Sequence, residues 1–175
     1  MIYIETSRLI LRDWKDSDVK PFQEMNSNLK TMEFFLKTLT ADESLDFLKR
    51  IKQEFVEKGY GLYAVELKKT GRFLGYTGFH YTNMQTDFAP CVEIGWRYLP
   101  EAWEHGYATE AAQACLVYAR EKLKLKEIYS FTAVANKRSA NVMKKLGMSY
   151  QKNFFHPAVP EKHWLREHVL YKINL

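Results

Sequence analysis

Apolar positions along this chain change period several times, and each change marks an element. Residues 3–13 form an Ile- and Leu-rich run that reads as one strand. Residues 16–26 read as a short helix opened by Asp or Ser. Thr40-Ala41-Asp42-Glu43 is a capping box, in which a hydroxyl and a carboxylate three residues apart satisfy each other's orphan N–H groups. Leu45, Leu48, Ile51 and Phe55 follow at helical spacing until Gly59. Two aromatic-rich runs, 60–67 and 72–81, flank Lys68-Lys69-Thr70-Gly71 and predict a hairpin. Residues 83–90 read as a loop. In Cys91–Tyr98 the pattern alternates: Val92, Ile94, Trp96 and Tyr98 share one face, and Cys91, Glu93, Gly95 and Arg97 the other.

From Gly106 the period becomes helical. Ala108, Ala111, Ala112, Cys115, Leu116 and Ala119 form one apolar stripe. Residues 127–133 return to strand character, and 136–146 form a helix closed by Gly147. Residues 148–155 and 166–173 are the last two strands. Gly75 and Gly78 lie in a predicted strand, where glycine marks a turn or close packing. No Ser- or Gly-rich linker interrupts this series. It predicts a single domain over residues 1–175, of mixed α/β (α+β) class.

Composition sets limits on function. The 175 residues are 46% hydrophobic and 27% charged, enough to bury a core without a metal or disulfide. No run approaches the ~18 consecutive apolar residues of a membrane span, and the first residues show no secretory signal. The expectation is therefore a cytoplasmic protein with no membrane partner, whose Cys91 and Cys115 stay reduced and buried. The net charge of +5 is unevenly spread. Residues 1–119 carry 14 basic and 17 acidic side chains, whereas residues 120–175 carry 12 basic and 4 acidic. Either an anionic partner meets the C-terminal third or that surface is simply solvated. No groove-reading or base-stacking motif accompanies the basic excess, so nucleic acid is not expected.

The chemistry concentrates where strand 91–98 runs through Leu99-Pro100-Glu101-Ala102-Trp103-Glu104-His105-Gly106 into the alanine-rich helix. A helix start offers unpaired N–H groups and the positive end of the dipole, and a glycine there lets a phosphate approach the backbone. Many such turns bind nothing, so on physics alone the site is one of two readings. Neither a Gly-x-x-x-x-Gly-Lys-Ser/Thr loop nor a Gly-x-Gly-x-x-Gly turn is present. His156, His163 and His168 match no metal-ligand spacing, and no metal is expected. Glu93 is a carboxylate within an otherwise apolar strand. Such a group has a raised pKa and suits general-base chemistry, unless it merely bonds a neighbouring strand.

Trp103-Glu104-His105-Gly106-Tyr107-Ala108 resembles the cofactor motif of the GNAT N-acetyltransferases, Gln/Arg-x-x-Gly-x-Gly/Ala, with Trp103 replacing the usual Gln or Arg. Thr6-Ser7-Arg8-Leu9-Ile10-Leu11-Arg12 resembles the opening strand of the branch that acetylates ribosomal-protein N-termini. Asn136-Lys137-Arg138-Ser139-Ala140-Asn141 with Lys145-Leu146-Gly147-Met148 resembles that branch's second cofactor motif, and Arg166-Glu167-His168-Val169-Leu170-Tyr171 its closing strand.

The resemblance implies a GNAT fold, a central mixed but mostly antiparallel sheet of six to seven strands flanked by about four helices. It implies acetyl-CoA as cosubstrate and direct acetyl transfer to a primary amine of a small molecule or a protein N-terminus, by a monomer or homodimer. Backbone N–H groups of His105, Gly106, Tyr107, Ala108 and Thr109 would hold the pyrophosphate. The backbone of Ile94, Trp96 and Tyr98 would pair with the pantetheine arm. Asn136 would bond that arm, cap its helix, or do both. Ser139 falls where the pattern places a group near the leaving thiolate, or is a plain first-turn serine. Lys137, Arg138, Lys144 and Lys145 would meet the 3′-phosphate or face solvent. Glu104 would have to point away from the anion. Trp14, Phe34 and a loop at residues 154–157 are expected to line the acceptor cleft. The alternative function is a catalytically silent acyl-CoA sensor that keeps the Gly106 turn without a working base.

Overall fold

The computed structural model describes residues 1–175. One sheet of eight strands runs through it: β1 (Ile2–Glu5), β2 (Leu9–Arg12), β3 (Leu62–Leu67), β4 (Arg72–Thr82), β5 (Cys91–Tyr98), β6 (Glu127–Ala133), β7 (Ser149–Phe155) and β8 (Glu167–Asn174). Their spatial order is β1-β2-β3-β4-β5-β6-β8-β7. Every neighbouring pair is antiparallel except β5 and β6. Four α-helices flank the sheet: α1 (Val19–Ser27), α2 (Ala41–Lys58), α3 (Tyr107–Glu121) and α4 (Lys137–Lys145). None is long and apolar enough to cross a membrane.

The sheet has one strand more than the apolar pattern predicts. The first run splits into a hairpin because Thr6 turns the chain on itself. Its N–H donates to the Leu9 carbonyl at 3.0 Å, and its hydroxyl accepts from the Leu9 N–H at 2.9 Å. The next element also opens differently. A 3-10 turn at Asp16–Asp18 precedes α1, and the buried Asp18 accepts the Lys15 N–H at 2.8 Å while pairing with Arg12. At α2 the capping box forms as its residues dictate. The Glu43 N–H donates to Thr40 Oγ1 and the Thr40 N–H to Glu43 Oε2, and the helix stops at a left-handed Gly59.

Each face of the sheet has its own core. The alanine and cysteine stripe of α3 lets that helix lie close to Leu9, Leu11, Val65 and Ile94. On the opposite face, α1 and α2 bury Phe22, Met25, Leu48 and Ile51 with Trp14 and Tyr76. Trp14 is thus a core residue, its Nε1 donating to the Leu62 carbonyl at 2.8 Å, and it does not border the cleft described below. Cys91 and Cys115 are both free and buried.

The feature that sets up function is an early parting of strands. β5 and β6 share a single register pair, Glu93 with Tyr129. Just beyond it Ser130 Oγ donates to the Ile94 carbonyl at 2.9 Å, and then the strands diverge. β6 stays paired with β8 along its whole length. β5 stays paired with β4, which approaches so closely at Gly75 that an added Cβ would sit 2.1 Å from the Arg97 carbonyl oxygen. Gly75 also holds φ at +148°. Gly75→Ala is expected to destabilise the fold by roughly 3 kcal/mol through overpacking and backbone strain. Urea denaturation of the two proteins measures the difference, and equal midpoints would refute it.

Candidate active site

The parting of β5 and β6 opens a continuous groove of about 1590 Å³. A single small-molecule site occupies roughly 300–1,000 Å³, so this groove has room for two reactants side by side. It starts at the N-termini of α3 and α4, passes the free edge of β5, and ends against α2 and residues 31–39.

At the first end a helix start is left open. Gly106 takes φ 78° as the N-cap of α3, and no side chain caps the helix. The first intrahelical bond runs from the Glu110 N–H to the Gly106 carbonyl, so the N–H groups of Tyr107, Ala108 and Thr109 have no helical acceptor. All three residues border the groove. A carboxylate in this first turn would compete with a bound anion, but Glu110 is held elsewhere. It accepts from Thr6 Oγ1 at 2.5 Å and from Arg8 Nε at 2.6 Å, and these contacts keep its pKa low. Arg8 then donates to the His105 carbonyl at 3.0 Å and lies 4.7 Å from the Tyr107 ring. The exposed His105 stacks on Tyr107. Glu104 has not been removed from the site: it stands exposed at the mouth with a left-handed backbone, φ 64°.

Trp103 joins the loop to the sheet. Its Nε1 donates to the Tyr98 carbonyl at 3.0 Å, and Arg138 of α4 lies 4.2 Å over its ring. Asn136 caps α4 by accepting the Ser139 N–H at 3.2 Å, and both residues border the groove. Arg138 and Lys145 do as well, whereas Lys137 and Lys144 do not. Along β5, the side chains of Ile94 and Tyr98 pack into the α3-side core and the half-buried Trp96 lies against it. Their contribution to the groove is therefore backbone. Of residues 154–157 only His156 lines the groove, because Phe154 and Phe155 continue β7; Phe34 lines it too.

The middle of the groove holds Glu93. Its Oε2 is sealed from water and has no hydrogen-bond partner. Burial raises the pKa to about 7, the nearby Glu54 adds to the rise, and His80 opposes it. His80 is the cross-strand neighbour of Glu93 on β4. Its Nδ1 lies 2.8 Å from Glu54 Oε2 of α2, and this bond raises the imidazole pKa. The other Glu54 oxygen accepts the Tyr81 N–H at 2.7 Å. The Glu54–His80–Glu93 series was not read from the sequence. Residues 54 and 80 meet only because α2 packs beside the end of β4, and the one local sign was a histidine in an aromatic strand.

Comparison with known proteins gives one family. The Acetyltransferase (GNAT) domain matches residues 8–149. The uncharacterized N-acetyltransferase YnaD of Bacillus subtilis is 30% identical over 162 residues, 91% of this chain and 89% of that protein. The uncharacterized protein YkkB of the same organism is 39% identical over 98 residues, and that match spans just over half of each chain, 55% and 56%. Among solved structures, a GNAT-family acetyltransferase from Bacillus anthracis superposes with a TM-score of 0.81 at 27% identity, covering 99% of this chain and 98% of that one. The spermidine N-acetyltransferase of Vibrio cholerae, solved with CoA and spermine, gives 0.75 at 18% identity over 97% and 96%.

A raised carboxylate pKa means that the folded chain binds a proton the unfolded chain has released. Stability contributed at Glu93 therefore falls as pH rises from the ordinary glutamate range to about 7, and levels off above it. Urea melts of the parent and of Glu93→Gln from pH 4 to pH 9 are expected to diverge over that window, with the variant the more stable at the alkaline end. A pH-independent difference would show that Glu93 titrates normally.

Proposed function

The chain belongs to the GNAT acetyltransferases, and from that premise we propose that it is an acetyl-CoA-dependent N-acetyltransferase acting on a primary amine. One observation carries the reading: an uncapped helix N-terminus and a half-buried carboxylate with one sealed, partnerless oxygen border the same groove, joined by a strand edge free of its neighbour. These features suit an acyl-CoA. The free N–H groups at Tyr107–Thr109 and the turn at His105 and Gly106 would hold the pyrophosphate. The backbone of Ile94, Trp96 and Tyr98 would bind the pantetheine arm as an added strand, and Asn136 would steady it from α4. Arg138 and Lys145 are the cations best placed for the 3′-phosphate.

When bound, acetyl-CoA supplies an activated acetyl group. The rest of the chemistry belongs to the chain. A primary amine attacks only as the free base, and Glu93 takes its proton, directly or through a water. A base with a pKa near 7 is half ionised at neutral pH, which suits this task. His80, held by Glu54, stands where it can pass that proton on to solvent. The Ser139 hydroxyl makes no hydrogen bond within the chain and is free to protonate the departing thiolate. Because a CoA thiolate leaves adequately unaided, its contribution is small. The acceptor is a primary amine of a small molecule or of a protein N-terminus.

Thiol release from acetyl-CoA over a panel of small amines and peptides tests the proposal. Release with at least one amine is expected, with kcat/KM inflecting near pH 7. Glu93→Gln is expected to lower kcat by about 100-fold or more and to remove that inflection. Full kcat in the variant at every pH would overturn the assignment of the base. CoA binding with no release across the panel would identify a sensor module instead. Ser139→Ala is expected to cost less than about 10-fold in kcat, since it removes only assistance to a competent leaving group.

A further inference from the structure

Two arginines are buried in this protein, and only one has a counter-charge. Arg12, 5% exposed, pairs with both Asp18 and Glu66 at 2.6 Å. Arg97, 9% exposed, pairs with no carboxylate. Its Nη1 donates to Asn26 Oδ1 at 2.7 Å, and its Nε is sealed without a partner. The rings of Phe35, Tyr76 and Phe47 lie 4.2, 5.5 and 5.8 Å from the guanidinium carbon, and all three line the groove. A cation out of water without an anion is costly unless something compensates it, and aromatic faces do so only partly. The cost is consistent with burial holding the Arg97 pKa below its usual value.

The position is as informative as the missing partner. Arg97 lies four residues beyond Glu93 on the same face of β5, roughly 13 Å along the strand. Between them is Gly95, where an added Cβ would meet nothing within 4 Å. A base, an open gap and an unpaired cation thus line one side of the groove in that order. Asn26 is fixed in turn by donating from Nδ2 to Ser44 Oγ at 3.3 Å, which keeps its oxygen toward Arg97.

We propose that Arg97 receives the carboxylate of the acceptor, so that the substrate is an amino acid whose reacting amine lies several bonds from its acid group, the amine reaching Glu93 while the intervening chain passes over Gly95. This rests on the acetyl-transfer reading above and narrows it to amines that carry an acid group. Charge-assisted pairing with a carboxylate is the strong mode of recognition for a guanidinium, and with Nε sealed it would be made through the terminal nitrogens. A bound carboxylate would also neutralise the one buried cation that the fold leaves uncompensated.

The test uses the unaltered protein first. Free amino acids with a terminal side-chain amine are compared with their decarboxylated amines, their carboxamides, a polyamine and a tripeptide N-terminus, by thiol release and by calorimetric binding in the presence of CoA. Amino acids are expected to exceed matched amines and amides in kcat/KM by about 100-fold or more, because removing the acid leaves a buried charge unpaired. Arg97→Gln, which keeps a donor for Asn26, is expected to abolish that preference by raising KM for the amino acids. Equal use or equal binding of amines and amino acids by the unaltered protein would overturn the role of Arg97, leaving acetyl transfer intact. Selective binding of amino acids without thiol release would support Arg97 while refuting the transfer chemistry. Binding of none of the compounds would overturn it outright.

Discussion

The whole site depends on how early β5 and β6 part, directly after the one register pair they share. Had the parallel pairing continued past Glu93 and Tyr129, the backbone from Gly95 to Tyr98 would be spent on β6 and no groove would exist. Both strands can part because each is secured from its other side, β5 by eight register pairs with β4 and β6 by seven with β8. A strand edge is ordinarily a liability that proteins cover. Here one is left bare inside the molecule, between two helix N-termini that aim their dipoles at the same space.

Electrostatics then sorts the groove by position. At one end, Glu110 is drawn off α3 by Thr6 and Arg8, which leaves the helix start positive. In the middle, burial keeps the Glu93 carboxyl near the point of losing its proton. At the far end the aromatic walls around Arg97 hold a positive charge in poor solvent. The clustering of basic residues in the C-terminal third fits less simply. Several of those side chains have acids of their own, Lys152 with Asp87, Lys172 with Glu127 and Arg138 with Glu33, and only Arg138 and Lys145 of the α4 cations border the groove.

The periodic elements were legible in the sequence. Alternation in β5, the alanine stripe of α3 and the capping box of α2 each express a local rule that tertiary packing did not override. The break in the first strand was not legible, since Thr6-Ser7-Arg8 turns the chain through a threonine hydroxyl and lacks the glycine or asparagine that advertises a hairpin. Glu93 could be found because an acid in an apolar strand is conspicuous. Arg97 shares its face and carried no such sign. Its meaning lies in a carboxylate that is absent, and a missing partner can be recognised only in three dimensions. Glu54 and His80 were hidden for the related reason that 26 residues separate them.

The strand order has a bearing on how the molecule comes into being. β8 follows β7 in the chain, yet it lies between β6 and β7 and supplies the only sheet neighbour of β6 beyond residue 129. One wall of the groove therefore has no support until the chain has been synthesised past residue 167. The turn that opens α3 has a similar delay, because Thr6 waits for Glu110, 104 residues later. A polypeptide grown only as far as β4 contains neither that wall nor that turn. The groove is thus confined to chains grown past residue 167, and a shorter one lacks the cleft.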